Sequence, residues 1–211
     1  MKTIVCFGDS NTHGYDTTTD GRFPFETRWP GVLQAALGGG FRVAEEGLCG
    51  RTAVFDDPLT EGMNGLRAIT PCLMTHKPVD CLVIMLGTND TKQRFGATAQ
   101  NIAKGFARLL EKAALTPAWG GKPPKILAVC PAPIKPIYRE RVFFGEMGVG
   151  CDEKACLLAP FYQAAAKAAG CAFLDAGSIL SMRDLDGMHM DEEGHRILGL
   201  AVAEEVKRLL G

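Results

Sequence analysis

Four short apolar runs, residues 3–8, 81–87, 125–131 and 172–175, constrain this chain more than any other feature. Three of them are almost unbroken in Val, Ile, Leu, Met, Ala or Cys, without polar alternation. Strands covered on both faces read this way, as in parallel sheets. A weaker run covers 41–46. Helical patterns lie between the runs. Residues 29–37 end at Gly38-Gly39-Gly40, a strong stop. Residues 98–115 place Ile102, Phe106, Leu109, Leu110 and Ala113 on one side, and 154–169 is Ala-rich around Leu157, Phe161 and Tyr162. After Asp191, Glu192 and Glu193, Leu198, Val202, Val206 and Leu210 form a seam at four-residue spacing, with Lys207 and Arg208 near its end. Strand followed by helix, about five times over, predicts an open parallel α/β sheet with helices on both faces. Ligands of such sheets bind beyond the carboxyl ends of the strands. Chemistry should therefore lie just after strands.

Length and composition narrow the function classes. The 211 residues are expected to form one domain over 1–211, long enough to bury a substantial core. A formal charge of -1 without a Lys/Arg run argues against nucleic acid as a partner. The first residues lack the longer apolar region of a secretory signal, and no stretch approaches the ~20 apolar residues of a membrane span, so the expected location is the cytoplasm. Eight cysteines contain no C-x-x-C pair, and Cys6, Cys81, Cys130 and Cys171 sit in or beside apolar runs. They are expected to be free, small buried hydrophobes. No His/Asp/Glu cluster has ligand spacing, so neither a metal site nor a cofactor is indicated. Residues 131–150 mix prolines with Ile134, Ile137, Tyr138, Phe143 and Phe144, and read as a binding loop or lid.

Four segments carry reactive side chains. The first strand runs into Gly8-Asp9-Ser10-Asn11, where Ser10 is either a helix cap or a nucleophile facing backbone N–H groups. This is not the Gly-x-Ser-x-Gly elbow of α/β-hydrolases. The second strand leads to Gly47 and Gly50, either turns or places where a backbone N–H approaches a ligand. The third leads to Gly87-Thr88-Asn89-Asp90, where Asn89 either closes a turn or donates to an oxyanion. Before the last helix stands Asp186-Gly187-Met188-His189. An aspartate three residues ahead of a histidine is either ordinary loop or folds back to bind Nδ1–H, freeing Nε2 as a base. Each signal is ambiguous alone. Together they supply nucleophile, backbone donor, side-chain donor and Asp–His pair, the roles that activated-serine catalysis requires. His13 could face the same pocket; His76 and His195 read as helix or surface residues.

These blocks strongly resemble the SGNH (GDSL) hydrolase family, in Gly8-Asp9-Ser10, Gly50, Gly87-Thr88-Asn89-Asp90 and Asp186-Gly187-Met188-His189. Arg28-Trp29, Glu45-Glu46-Gly47-Leu48, Asp56-Asp57-Pro58 and 85–92 look like its bacterial arylesterase/acyltransferase branch, known from mycobacteria. The resemblance implies a three-layer α/β/α flavodoxin-like fold with a five-stranded parallel sheet and no cofactor. It also implies esterase activity on small-molecule acyl esters, perhydrolysis or acyl transfer to alcohols, and a homo-oligomer, an octamer in that branch. It implies Ser10, Asp186 and His189 as the triad, and Ser10, Gly50 and Asn89 as the oxyanion hole. By position and by resemblance, Asn11, Tyr15, Lys92, Phe144 and Met188 are expected to line the substrate pocket, and Asp9 to support the catalytic turn. The chain departs from the branch at Asn11, His13 and Tyr15 and in the 131–150 loop. The same chemistry would serve a carbohydrate acetylesterase, a lysophospholipase or a thioesterase. A non-catalytic flavodoxin-like binding module is the rival from another class; it would need a Gly-rich phosphate loop, and 11–14 has one glycine.

Overall fold

Each central strand is buried on both faces, which explains its unbroken apolar run. The computed structural model describes all 211 residues. Strands β1 (Lys2–Gly8), β4 (Phe41–Gly47), β5 (Cys81–Met85), β6 (Ile126–Cys130) and β7 (Ala172–Asp175) form one sheet in the order β4-β1-β5-β6-β7, all pairs parallel. On one face, Val5, Phe7, Leu82 and Ile84 pack with residues of helices α3 (Gly65–His76), α4 (Ala99–Leu115) and α7 (Leu158–Ala168). On the other, Ile4, Cys6, Cys81 and Val83 meet helices α2 (Trp29–Leu37) and α8 (Glu192–Leu210). Both faces are thus covered, as the sequence pattern requires. The result is a three-layer α/β/α architecture.

The chain leaves β1 for the edge strand β4 and then crosses back to β5. That reversal opens a crevice beyond the carboxyl ends of the strands, where such sheets bind ligands. A one-turn helix α1 (Ser10–His13) follows β1, and a two-strand antiparallel ribbon, β2 (Tyr15–Asp16) with β3 (Gly21–Arg22), stands beside it. Helices α5 (Phe144–Met147) and α6 (Cys151–Cys156) complete the elements.

Sequence and structure differ at several boundaries. The weak 41–46 run is a full strand, and its signal is weak because β4 pairs on one side only and is half-buried along most of its length. The third strand ends at Met85, two residues early, as Leu86 and Gly87 leave the sheet. The pattern over 154–169 divides into α6 and α7 at Leu157. Helix α3 carries no clear signal in the sequence because Pro71 lies inside it. Proline removes a helical donor, so it reads as a breaker. Asn64 nevertheless caps α3 by accepting from the Arg67 N–H, and Ile69 and Leu73 anchor it in the core. All eight cysteines are free; Cys6, Cys81 and Cys130 are buried, whereas Cys171 is only half-buried. No helix is long and apolar enough to cross a membrane.

Candidate active site

Ser10 is placed by the tight exit from β1. A Cβ on Gly8 would lie 2.0 Å from Thr12 Oγ1 and 2.8 Å from the Met85 carbonyl, so only glycine lets α1 turn this closely against the sheet. Asp9 caps α1, its Oδ1 accepting from the Asn11 N–H at 3.0 Å. Burial raises the Asp9 carboxyl to about 6, against the opposing effects of the Asn11 N–H, His189 and Arg51.

Ser10 Oγ lies 2.9 Å from His189 Nε2, and His189 Nδ1 lies 2.7 Å from Asp186 Oδ2. The three side chains are all buried. The three-residue offset lets Asp186 serve its own turn, because Oδ1 accepts from the N–H groups of Met188 (2.9 Å) and His189 (3.0 Å). The Thr17 hydroxyl donates to Oδ2, reaching in from the turn that joins β2 to β3. Burial pushes the Asp186 carboxyl up, but the hydrogen bond and charge of His189, with Thr17 and the Met188 N–H, outweigh it and hold it at about 2. An ionised Asp186 fixes the imidazole with Nδ1–H toward the carboxylate and Nε2 toward Ser10. The ring packs against both Tyr15 and Phe143, with centroids at 4.9 and 5.4 Å, and those two rings also touch each other.

Two further donor positions converge on the same cavity, of about 280 Å³, which Ser10, Gly50, Asn89 and His189 all line. Gly50 adopts φ +83, a left-handed conformation that favours glycine. Asn89 opens a short 3-10 turn, and its Nδ2 donates to the Arg51 carbonyl at 3.2 Å, leaving one amide hydrogen free. Arg51 ties these parts together. Its Nη1 donates to the carbonyls of Gly8 (2.9 Å) and Glu46, and its guanidinium carbon lies 4.1 Å from the Phe7 ring centroid. Asp90 takes the Ala53 N–H with both oxygens, at 2.9 and 3.0 Å. Burial raises its carboxyl to about 7.

The expected pocket residues divide. Tyr15, Lys92 and Met188 line the cavity. Asn11 does not; its amide is spent on the Met188 carbonyl (3.1 Å) and the Met190 N–H (3.0 Å), which clamps the His189 turn to α1. Phe144 does not line it either. It packs on Tyr138, with centroids 5.9 Å apart, and its neighbour Phe143 forms the wall. Lys92 is buried and neutralised by Asp57 (3.3 Å) and Glu146 (2.9 Å), so it brings no free charge to the cavity. Cys49, Thr60, Glu146 and Met147 also line it and were missed by sequence reasoning. Only Cys49 had a usable signal, its place one residue before Gly50. His13 is half-buried and does not line the cavity. His195 lies on helix α8 as expected but is fully buried rather than at the surface; its Nδ1 accepts from the Trp29 N–H at 3.3 Å, and burial lowers its pKa to about 4.

The arrangement can activate a hydroxyl toward a carbonyl carbon and hold the negative charge that develops on the carbonyl oxygen. The comparisons with known proteins agree with that chemistry. The GDSL-like lipase/acylhydrolase family matches residues 6–197. The native aryl esterase of M. smegmatis superposes with a TM-score of 0.93 at 41% identity, covering 100% of both chains. Est24, a carbohydrate acetylesterase from Sinorhizobium meliloti, superposes at 0.91 with 36% identity over 99% of this chain and 100% of its own. A second carbohydrate acetylesterase family member from Sinorhizobium meliloti gives 0.92 and 40%, covering 100% of both chains. No curated protein matches the chain. Match and superpositions span the residues that carry the site, and the chain belongs to the GDSL-like lipase/acylhydrolase family, a family of carboxylic-ester hydrolases.

Proposed function

We propose that this protein hydrolyses small carboxylic esters, with short acyl groups, through an acyl-enzyme on Ser10. The observation that carries the reading is the continuous Ser10–His189–Asp186 relay facing a cavity of only about 280 Å³. Such a volume lies at the small end for ligand pockets. Ser10 Oγ attacks the ester carbonyl carbon as its proton passes to His189 Nε2. Asp186 steadies the imidazolium. The N–H groups of Ser10 and Gly50 and the free amide hydrogen of Asn89 hold the oxyanion. The bond to the alcohol oxygen then breaks, His189 returns its proton to that oxygen, and the acyl group stays on Ser10. An incoming water gives its proton to His189, attacks the acyl carbon, and releases the acid as the proton returns to Ser10.

A short-chain alcohol or a peroxide can take the place of that water, which makes acyl transfer and perhydrolysis activities of the same site. A second substrate, an acetylated sugar, is favoured by the polar part of the wall at Thr60, Lys92 and Glu146 and by the likeness to Est24. Exposed apolar Leu48, Leu59 and Val142 each precede a cavity-lining residue, which supports assembly of several copies around the cavity mouth. Light scattering on the purified chain tests that assembly.

The decisive experiment is a series of p-nitrophenyl esters from acetate to octanoate, run beside acetylated sugars and after treatment with a fluorophosphonate. Highest kcat/KM on the shortest acyl groups and a single adduct on the Ser10 peptide are expected. Preference for octanoate, or an adduct elsewhere, would overturn the reading.

A further inference from the structure

We propose that Glu46, Cys72 and His76 form a zinc-binding site separate from the ester-hydrolysing cavity. Cys72 and His76 are four residues apart on α3, so one face of the helix presents both side chains side by side. The Glu46 carboxylate comes from the neighbouring edge strand β4. The candidate ligand atoms of the three residues all lie within 4.8 Å of one another, and Glu46 Oε1 is 2.6 Å from His76 Nε2. All three residues are half-buried, which leaves them a path to solvent while holding their rotamers.

The donor set selects the ion. One thiolate, one imidazole and one carboxylate are the ligand types of zinc, at about 2.0–2.3 Å each. Calcium and magnesium prefer oxygen alone. Three protein ligands leave a fourth tetrahedral position for water. The protons balance. Without metal, the Nη2 of Arg42 donates to His76 Nδ1 at 3.3 Å, so Nε2 carries the ring hydrogen and donates it to Glu46. On binding, the ring keeps one proton by moving it to Nδ1, and the exposed Arg42 swings into solvent. The Cys72 thiol gives up its proton, and one proton is released per ion bound.

The untagged full chain, stripped with chelator, is to be titrated with zinc chloride by calorimetry and loaded in parallel with cobalt(II) chloride. One equivalent of zinc, a rise in Tm with zinc concentration, and a sulfur-to-cobalt charge-transfer band are expected. Cys72→Ser should remove the band, and Cys72→Ser and His76→Ala should each weaken zinc binding by at least about tenfold. Esterase activity in both variants, without added metal, reports that they are folded. Absence of saturable uptake, or uptake unchanged in both variants, would overturn the site.

Discussion

The floor and the outer wall of the cavity beside Ser10 are built on different principles. The floor comes from strand ends and short turns, and several of its buried polar groups are bonded to backbone. Asp186 accepts two N–H groups besides its bonds to His189 and Thr17, Arg51 donates to two carbonyls, and Asn89 leans on a third. The wall comes from the 131–150 segment, where Phe143 packs on His189 and Tyr15, and Glu146 pairs with Lys92 and Arg94. Glu146 is itself exposed, so solvent screens those pairs and each is worth about 1 kcal/mol or less. The difference teaches that preorganisation is concentrated at the proposed site of charge development, while the wall proposed to sort acyl groups is held loosely enough to change.

Breaking the floor should therefore cost far more than altering the wall. Ser10→Ala is expected to lower kcat by about 10⁴-fold or more with folding intact, measured by burst kinetics beside circular dichroism. A variant that retains wild-type turnover would remove Ser10 from the reaction. Asn89→Ala should lower kcat by about 10²-fold with KM little changed, as the loss of one oxyanion donor does. Thr17→Val removes the hydroxyl that donates to Asp186 and should lower kcat by roughly tenfold while Thr17→Ser restores it; a hydrogen bond from a hydroxyl to a charged carboxylate is worth at least about that much. An unchanged pH–rate profile and kcat in Thr17→Val would show that Asp186 needs no such support.

At the wall, Phe143→Ala should widen the acyl range, changing the octanoate-to-acetate ratio of kcat/KM by about tenfold, since each methylene accommodated is worth ~1 kcal/mol or more. No change in that ratio would place the acyl group elsewhere. A change beneath the floor is read in stability rather than in turnover. Asp90 has its carboxyl raised from 3.8 to about 7 by burial. The folded state therefore holds a proton that the unfolded state gives up near pH 4. This contribution is complete below that pH, shrinks as pH rises, and is lost once pH passes about 7. Asp90→Asn should flatten the decline of unfolding free energy between pH 4 and pH 8, followed by urea denaturation. A decline as steep as in wild type would assign it to other groups.

Much of this was legible in the sequence wherever a short offset carries the information. Val5 and Phe7 against Ile4 and Cys6 explain an unbroken strand, and Asp186 and His189 are close enough in sequence for one turn to join them. Asn11 shows the limit. It stands beside Ser10, yet its amide is consumed by the His189 turn far along the chain. Phe143 and Phe144 are a second limit. Consecutive residues on irregular backbone point in different directions, and no periodicity says which one faces the ligand. Helix α3 is the third. With Pro71 obscuring the helix, the four-residue step from Cys72 to His76 had no meaning until the fold supplied both the helix and Glu46 beside it.

The sequence by itself determined the strand–helix alternation, the covered parallel sheet and the residue types at its reactive edge, because hydrophobic period and neighbouring offsets are local quantities. Only the tertiary structure decided the burial of His195, the exchange of Phe144 for Phe143, the neutralised Lys92 and the meeting of Glu46 with Cys72 and His76. Those depend on which distant surfaces pack together, and packing is chosen by the whole core at once.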